Sequence, residues 1–263
     1  MRHLFISAHL DDTALSCGGT AHQLAAGGQS VWSATLCTGD TPPTWLASPA
    51  ARRVHEEWQL GDNPYVARRQ EDLSACKVLG IKPIHLGLPD AVYRFNPAGA
   101  PLYTDDFMSG KLVYQDLSRT LEETARALRM MLYEQIGLGD LQLYCPLTLG
   151  GHVDHVLLRH AIESLQCVLN LHILYYEDYP YGERDLAQNN PVTRTMSPQI
   201  HALGAEDLDA RIAAIQCYPS QLQPVFHLPP GPELNAAVAA RVRAYASTIG
   251  GERYWRKPSA TRH

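Results

Sequence analysis

Short apolar runs alternate with longer stretches of helical periodicity along most of the chain. The first predicted strand, 2–8, contains the run Leu4-Phe5-Ile6, and the helical pattern that follows it ends at Gly27 and Gly28, a common helix stop. The same order then repeats. The pattern predicts strands over 2–8, 30–36, 83–86, 141–145 and 170–176, an edge strand over 199–203, and helices over 13–26, 65–79, 116–136, 152–165, 206–217 and 234–247.

This alternation of strand and helix predicts an α/β fold class. We expect a single Rossmann-like three-layer domain over residues 1–256, with a mainly parallel sheet and helices on both faces, and a loose tail over 257–263. Two segments rich in turn-forming residues interrupt the alternation. We interpret 37–64, with a helical piece near 50–59, as a loop over the top of the sheet, and 91–112 as a rim insertion.

Composition limits the kinds of binding partner and the cellular compartment that we expect for this protein. The 263 residues carry a formal net charge of -5 without a lysine- or arginine-rich block, which argues against a nucleic-acid partner. The six cysteines form no C-x-x-C pair, which favours thiols in a reducing compartment over disulfides or a structural zinc site. With no apolar run of 18 residues and no leader pattern, we expect a cytoplasmic protein without stable membrane insertion. A homo-oligomer is compatible with the sequence, which does not decide the oligomeric state.

Ionisable side chains cluster where two of the predicted strands end. His9, Asp11 and Asp12 follow the first strand, while His152 and His155 stand at the start of the helix after strand 141–145. Ligands of open α/β sheets bind beyond the carboxyl ends of the strands. If these two strands are neighbours in the sheet, the two loops meet there.

Two imidazoles and a carboxylate are a ligand set typical of a catalytic divalent ion, here Zn²⁺ with Fe²⁺ or another divalent ion as the alternative. A second carboxylate beside the ion can accept a proton from the attacking water, and a further imidazole, held cationic by a carboxylate such as Asp154, can act on the oxyanion or the departing amine. Spacing does not say which histidine has which role. Alone, Asp11 and Asp12 would be read as a helix cap.

The motifs together are more specific than any one of them. Ala8-His9-Leu10-Asp11-Asp12 and His152-Val153-Asp154-His155 resemble the A/P-H-P-D-D-E and H-x-D-H signatures of the PIG-L/LmbE-like family of metal-dependent N-acetylglucosaminyl de-N-acetylases. Three further stretches occur in the family's order and extend the resemblance over residues 4–221: 68–80, 86–90 and 218–221.

The resemblance implies a role for each motif residue. It implies that His9, Asp12 and His155 bind zinc and that Asp11 is the general base. It further implies that His152 stabilises the tetrahedral intermediate or acts as an acid, with Asp154 tuning it. Leu10 and Thr13 depart from the family's Pro and Glu, which puts any role of that Glu in doubt.

Three other residues are candidates for substrate binding. Arg68 is either a sugar-binding residue, as the resemblance implies, or half of an exposed ion pair with Glu71. Asp90 is either a turn residue or a contact to a substrate hydroxyl. Tyr176, with the charged and aromatic residues 177–181, is either a pocket wall that stacks on a sugar or an ordinary surface loop.

The predicted function is that of a metal-dependent hydrolase. The substrate would be a small amino-sugar conjugate that loses its N-acetyl group to metal-activated water. One alternative is a hydrolase of the same fold acting on another amide or an ester, and the other is a sugar-binding module without turnover. The substituent on the sugar is left open, and the rim insertion is where we expect it to be recognised.

Overall fold

The computed structural model describes residues 1–184 and 190–258, and seven strands within them form one sheet in the order β3-β2-β1-β4-β5-β7-β6. Strands β1 to β5 run parallel to one another, whereas β7 pairs antiparallel with both β5 and β6. The strands are β1 (Arg2–Ser7), β2 (Ser30–Cys37), β3 (Lys82–Leu88), β4 (Leu141–Pro146), β5 (His172–Tyr176), β6 (Ser197–His201) and β7 (Glu252–Arg256).

Helices cover both faces of the sheet. They are α1 (Asp12–Ala26), α2 (Pro49–Trp58), α3 (Pro64–Leu79), α4 (Leu121–Met131), α5 (Val153–Leu169), α6 (Ala205–Ile215), α7 (Pro219–Phe226) and α8 (Leu234–Ile249). Wider π turns, Asp116–Thr120 and Leu132–Ile136, extend α4 at its two ends, so helical structure fills the predicted range 116–136. In the described ranges no helix combines the length and the apolar character needed to cross a membrane.

The strand β1 shows why the fold has three layers. Phe5 packs into an apolar cluster with α1, α3, α6 and α8, whereas Leu4 and Ile6 pack into a second cluster with α4 and α5. All three side chains are fully buried, because successive residues of a strand point to opposite faces and both faces are covered. The predicted single α/β domain with a mainly parallel sheet is confirmed.

Two elements were not predicted from the sequence, namely α7 and β7. The strand β7 is a five-residue segment with charged residues at both ends, and it is held by pairing with β5 and β6 rather than by a strong local pattern. The edge strand is present but begins and ends two residues earlier than the predicted 199–203. Of the predicted tail, residues 259–263 lie outside the described residues.

The rim insertion packs against the loop that follows β4. Gly110 donates its backbone N–H to the carbonyl of Gly151 at 2.7 Å, and Val153 donates to the carbonyl of Phe107 at 2.8 Å. Gly151 has a φ of +73°, and a Cβ added there would lie 3.0 Å from the carbonyl oxygen of Met108. The loop therefore needs glycine both for its left-handed backbone and for the close approach of the rim insertion.

We predict that Gly151→Ala destabilises the protein more than Gly28→Ala. Gly28 has a φ of +78°, and a Cβ added to it would meet nothing within 4 Å, so this substitution carries only the left-handed penalty of about 1–2 kcal/mol. Gly151→Ala adds a backbone clash, and we expect roughly 1–3 kcal/mol of further loss in the free energy of unfolding. Chemical denaturation of both variants measures the difference; equal losses would show that the rim insertion does not press on this loop.

Candidate active site

The two motif loops meet because β1 and β4 are adjacent and parallel. Arg2 pairs with Leu141 and Phe5 with Tyr144, so the loops leaving both strands emerge at the same edge of the sheet. A cavity of about 270 Å³ opens there, and His9, Asp11, Asp12, His152 and His155 line it. The strands that end at the two motifs are thus neighbours in the sheet, as the predicted site requires.

Three of these side chains bring donor atoms together. Nε2 of His155 lies 3.3 Å from Nδ1 of His9 and 3.4 Å from Oδ2 of Asp12, and the last two atoms are 3.9 Å apart. Tetrahedral zinc with bonds of about 2.0–2.1 Å holds its nitrogen and oxygen ligands roughly 3.3–3.4 Å apart. The set therefore fits a divalent ion with one open position, and its members would be His9, Asp12 and His155.

Each ring uses its other nitrogen to contact a carboxylate. Nδ1 of His155 is 2.6 Å from Oδ1 of Asp178, whose second oxygen accepts the backbone N–H of Leu149 at 2.8 Å. Nε2 of His9 is 3.2 Å from Oδ2 of Asp154. Burial opposes a charge on His155, but Asp12 and Asp178 outweigh it and raise the pKa of His155 to about 9. A metal bound at Nε2 of His155 would displace that proton.

Asp11 stands beside the ligand set without joining it. Its side chain is buried and does not cap α1, so the reading of Asp11 and Asp12 as an ordinary helix cap does not describe it. Its Oδ1 lies 3.3 Å from Nη2 of Arg68. Burial, helped by the charge of Asp12, raises the pKa of Asp11 against the opposing effect of Arg68. A buried carboxylate with a raised pKa is suited to accept a proton.

Arg68 is buried, and the reading of it as an exposed ion pair with Glu71 is wrong. Its guanidinium stacks 4.4 Å over the ring of Trp58 and contacts Asp11, while only 2% of the residue is exposed. Glu71 instead accepts the backbone N–H and the hydroxyl of Ser220, at 3.0 and 2.7 Å. Arg68 still lines the cavity, so it contacts Asp11 and faces the cavity at once.

His152 lacks the carboxylate partner that was expected. As the residue that caps α5, it accepts the backbone N–H of Asp154 on Nδ1 at 3.2 Å, and the nearer carboxylate oxygen of Asp154 is 3.8 Å away. Burial, then the nearby His9, holds the pKa of His152 well below its usual range. The expectation that Asp154 keeps this ring cationic is therefore corrected. The lowered pKa favours the neutral ring, and a neutral ring that accepts on Nδ1 carries its proton on Nε2.

The other two substrate-binding candidates have different outcomes. Asp90 lines the cavity, but it already accepts the hydroxyl of Tyr65 at 2.8 Å and the backbone N–H of Val92 at 3.1 Å. Tyr176 is fully buried, and its hydroxyl donates to the carbonyl of Ile6 at 3.0 Å. The prediction of Tyr176 as a pocket wall is wrong, because the last residue of β5 points into the core. Tyr179 and Tyr181 line the cavity instead.

Two residues make contacts at the site that the sequence did not predict, although Asp178 was included in the possible pocket wall 177–181. Asp178 follows the end of β5, so its position beyond a strand was a usable signal, but nothing local pointed to His155 as its partner. Arg94 lies in the rim insertion and contacts Asp154 at 2.5 Å as an ion pair. The sequence carries no signal for that contact, since 60 positions separate the two residues.

Thr13, which replaces the family's Glu, accepts the hydroxyl of Ser33 at 2.8 Å inside the core.

Two curated relatives are similar to this chain in sequence. The 2'-N-acetylparomamine deacetylase of Streptomyces fradiae is 33% identical over 195 residues, which are 70% of this chain and 59% of the relative. The chain thus matches less than two thirds of that protein's length. The 2'-N-acetylparomamine deacetylase of Niallia circulans is 28% identical over 235 residues, which are 85% of this chain and 82% of the relative.

A solved structure resembles the fold along its whole length. The zinc-inhibited form of a teicoplanin deacetylase superposes with a TM-score of 0.79 at 26% sequence identity, covering 99% of this chain and 100% of that one. The family model described as GlcNAc-PI de-N-acetylase, PIG-L, matches residues 4–166, which include both motif loops. The chain therefore belongs to the PIG-L family of de-N-acetylases.

Proposed function

We propose that the protein is a metal-dependent hydrolase that removes the acetyl group from an N-acetylglucosamine-type sugar conjugate. The observation that carries this proposal is the triangle of donor atoms from His9, Asp12 and His155, with sides of 3.3, 3.4 and 3.9 Å, beside the buried carboxylate of Asp11. The similar proteins are a 2'-N-acetylparomamine deacetylase and a teicoplanin deacetylase, which supports the same reaction class here.

In the proposed reaction water adds to the amide carbonyl, the C–N bond breaks, and acetate and a free amine leave. A divalent ion held by His9, Asp12 and His155 supplies polarisation of the carbonyl and a more acidic water. Asp11 accepts the proton of the attacking water, and Arg68 fixes its carboxylate. The Nε2–H of neutral His152 donates a hydrogen bond to the developing oxyanion, and the proton held by Asp11 passes to the departing amine.

The ion proposed is Zn²⁺, with Fe²⁺ as the alternative. Two imidazole nitrogens and a carboxylate oxygen suit either ion. A teicoplanin deacetylase is described in a zinc-inhibited form, so the ion that supports turnover has to be measured rather than taken from zinc binding alone. A cytoplasmic location is part of the proposal, because Cys17, Cys37, Cys76, Cys145 and Cys217 are free thiols.

The outer wall of the cavity is formed by apolar side chains that lie where a substituent of the sugar would be placed. Val54 and Trp58 come from α2, Phe107 and Met108 from the rim insertion, and Val225 from α7. All five side chains are partly exposed, so their apolar surface faces the opening. We propose that this wall contacts an apolar substituent, whereas the amide is held at the inner end by the motif residues.

The base assignment is tested with Asp11→Asn. We expect the variant to retain its metal and to lose roughly 100-fold to 10,000-fold in kcat for acetate release from N-acetylglucosaminides, because the amide cannot accept the proton. Metal analysis and acetate release are measured on the same preparation. Normal turnover by this variant would refute the mechanism, and no acetate from any N-acetylated sugar would favour the alternative substrates.

Metal dependence is tested by removing the ion and its ligand separately. Chelation should abolish acetate release, and stoichiometric addition of a divalent ion should restore it, with Zn²⁺ and Fe²⁺ compared under anaerobic conditions. His155→Ala should bind no ion at this site. His160→Ala, the same change on an exposed residue of the same helix, is the matched control and should behave as wild type. Full activity in the chelated protein would contradict the proposal.

The apolar wall is tested with Met108→Gln, which keeps the length of the side chain and makes it polar. We expect KM for a phenyl N-acetylglucosaminide to rise roughly fivefold, about the loss of one buried methylene contact, while KM for the methyl glycoside stays unchanged. Met130→Gln is the matched control, because Met130 is half exposed on α4, away from the cavity. Equal effects on both glycosides would remove Met108 from substituent binding.

A further inference from the structure

Asp154 is fully buried, and both of its carboxylate oxygens are engaged. Oδ2 accepts the backbone N–H of Ala91 at 3.0 Å and lies 3.2 Å from Nε2 of His9. Oδ1 lies 2.5 Å from Nη2 of Arg94, in an ion pair that is not aligned as a hydrogen bond. A carboxylate held at both oxygens cannot rotate without leaving a buried charge unpaired.

The ring that Asp154 faces is His9, not His152. Nδ1 of His152 accepts the backbone N–H of Asp154, so that nitrogen carries no proton to donate to the carboxylate. Nε2 of His9 does point at the carboxylate, and Nδ1 of the same ring points at His155 and Asp12. A proton on Nε2 directed to Asp154 leaves the lone pair of Nδ1 free for an ion.

His155 shows the same arrangement with the two ring nitrogens exchanged. Its Nδ1 faces Asp178 and its Nε2 faces the ligand space. Asp90 also approaches Nε2 of His9, at 3.5 Å, but the same oxygen already accepts the hydroxyl of Tyr65. Asp154 is therefore the nearer carboxylate to His9, as Asp178 is to His155.

Arg94 ties this carboxylate to the rim insertion. Its guanidinium is buried, contacts Oδ2 of Asp116 at 3.2 Å as well as Asp154, and lies 5.4 Å from the ring centre of Tyr103. The hydroxyl of Tyr103 in turn donates to Asp116 at 2.6 Å. The segment that carries Arg94 also carries Phe107 and Met108 of the cavity wall.

We propose that Asp154 is the positioning residue of His9, and that Arg94 holds Asp154 in place and so couples the rim insertion to the metal-binding ring. The inference rests on the metal site of the proposed function. It assigns Asp154 a different partner from the one the family resemblance implies, and it assigns Arg94 a role that no motif indicated. Carboxylates that orient metal-binding histidines typically change metal affinity or activity by 10–100-fold when they are lost.

The decisive measurement is Zn²⁺ affinity, by competition with a chromophoric chelator, in Asp154→Asn, Asp178→Asn, Asp90→Asn and His152→Ala. We expect a loss of about 10–100-fold for Asp154→Asn and for Asp178→Asn, because an amide can accept at only one of its two terminal positions. Asp90→Asn should lose less, and His152→Ala should bind Zn²⁺ within about twofold of wild type while losing turnover. The visible absorption spectrum of the Co²⁺-loaded protein should change with Asp154→Asn and not with His152→Ala.

Arg94 is tested with Arg94→Met and Arg94→Lys. The first should weaken Zn²⁺ binding and the second should restore part of it, because lysine keeps the charge next to Asp154. Arg159→Met is the matched control for the loss of a buried arginine, since Arg159 contacts Leu147 and Glu163 and does not touch Asp154. It should lose stability in thermal denaturation and keep its Zn²⁺ affinity.

The outcomes separate the two proposals. If the wild-type protein binds no Zn²⁺ at His9 and His155, the proposed function fails. If it binds Zn²⁺ and Asp154→Asn binds it equally well while losing turnover together with His152→Ala, then Asp154 acts on His152 and the inference is overturned. If Arg94→Met should not fold, the Asp154→Asn and Arg94→Lys results still decide the question.

Discussion

The parallel pairing of β1 with β4 is the constraint on which the site depends. Each strand ends in a loop that carries part of the candidate donor set, because His9 and Asp12 follow β1 and His155 follows β4. The pairing runs from Arg2 with Leu141 to Phe5 with Tyr144, so both loops leave the sheet at the same height. A shift of one residue would turn every side chain of the strand to the opposite face, where it would meet a different set of closely packed neighbours.

Buried charge is the second feature of this site. Two buried ion pairs lie at this site, Asp11 with Arg68 and Asp154 with Arg94. Less than a tenth of the surface of each of these four residues is exposed. Such pairs add little net stability, but removing one partner leaves an unpaired charge at a cost of about 3–5 kcal/mol. We therefore interpret these pairs as fixing geometry rather than adding stability. Each arginine contacts a carboxylate to which we assign a role in the proposed reaction, and each guanidinium lies over an aromatic ring.

The rim insertion contributes residues both to the outer apolar wall of the cavity and to the buried contacts of Asp154. Its outer part contributes Phe107 and Met108 to the apolar wall, and its start contributes Ala91 and Arg94 to the two oxygens of Asp154. Close packing of the insertion on Gly151 brings these contacts into the same small region. A sequence change in the insertion that fits a different substituent must therefore keep the contacts to Asp154, which in turn contacts His9.

The sequence by itself determined the fold class, most of the strands and helices, and the six motif residues at the strand ends. The elements could be predicted because buried strands and helices leave local patterns of apolar residues. The motif residues could be predicted because each group of His and Asp lies within a few positions of a strand end. The partners of those residues were decided by tertiary structure alone. Asp178 reaches His155, Arg94 reaches Asp154, and Tyr176 turns into the core, because the order of the strands and the path of the rim insertion bring together positions that no local period relates.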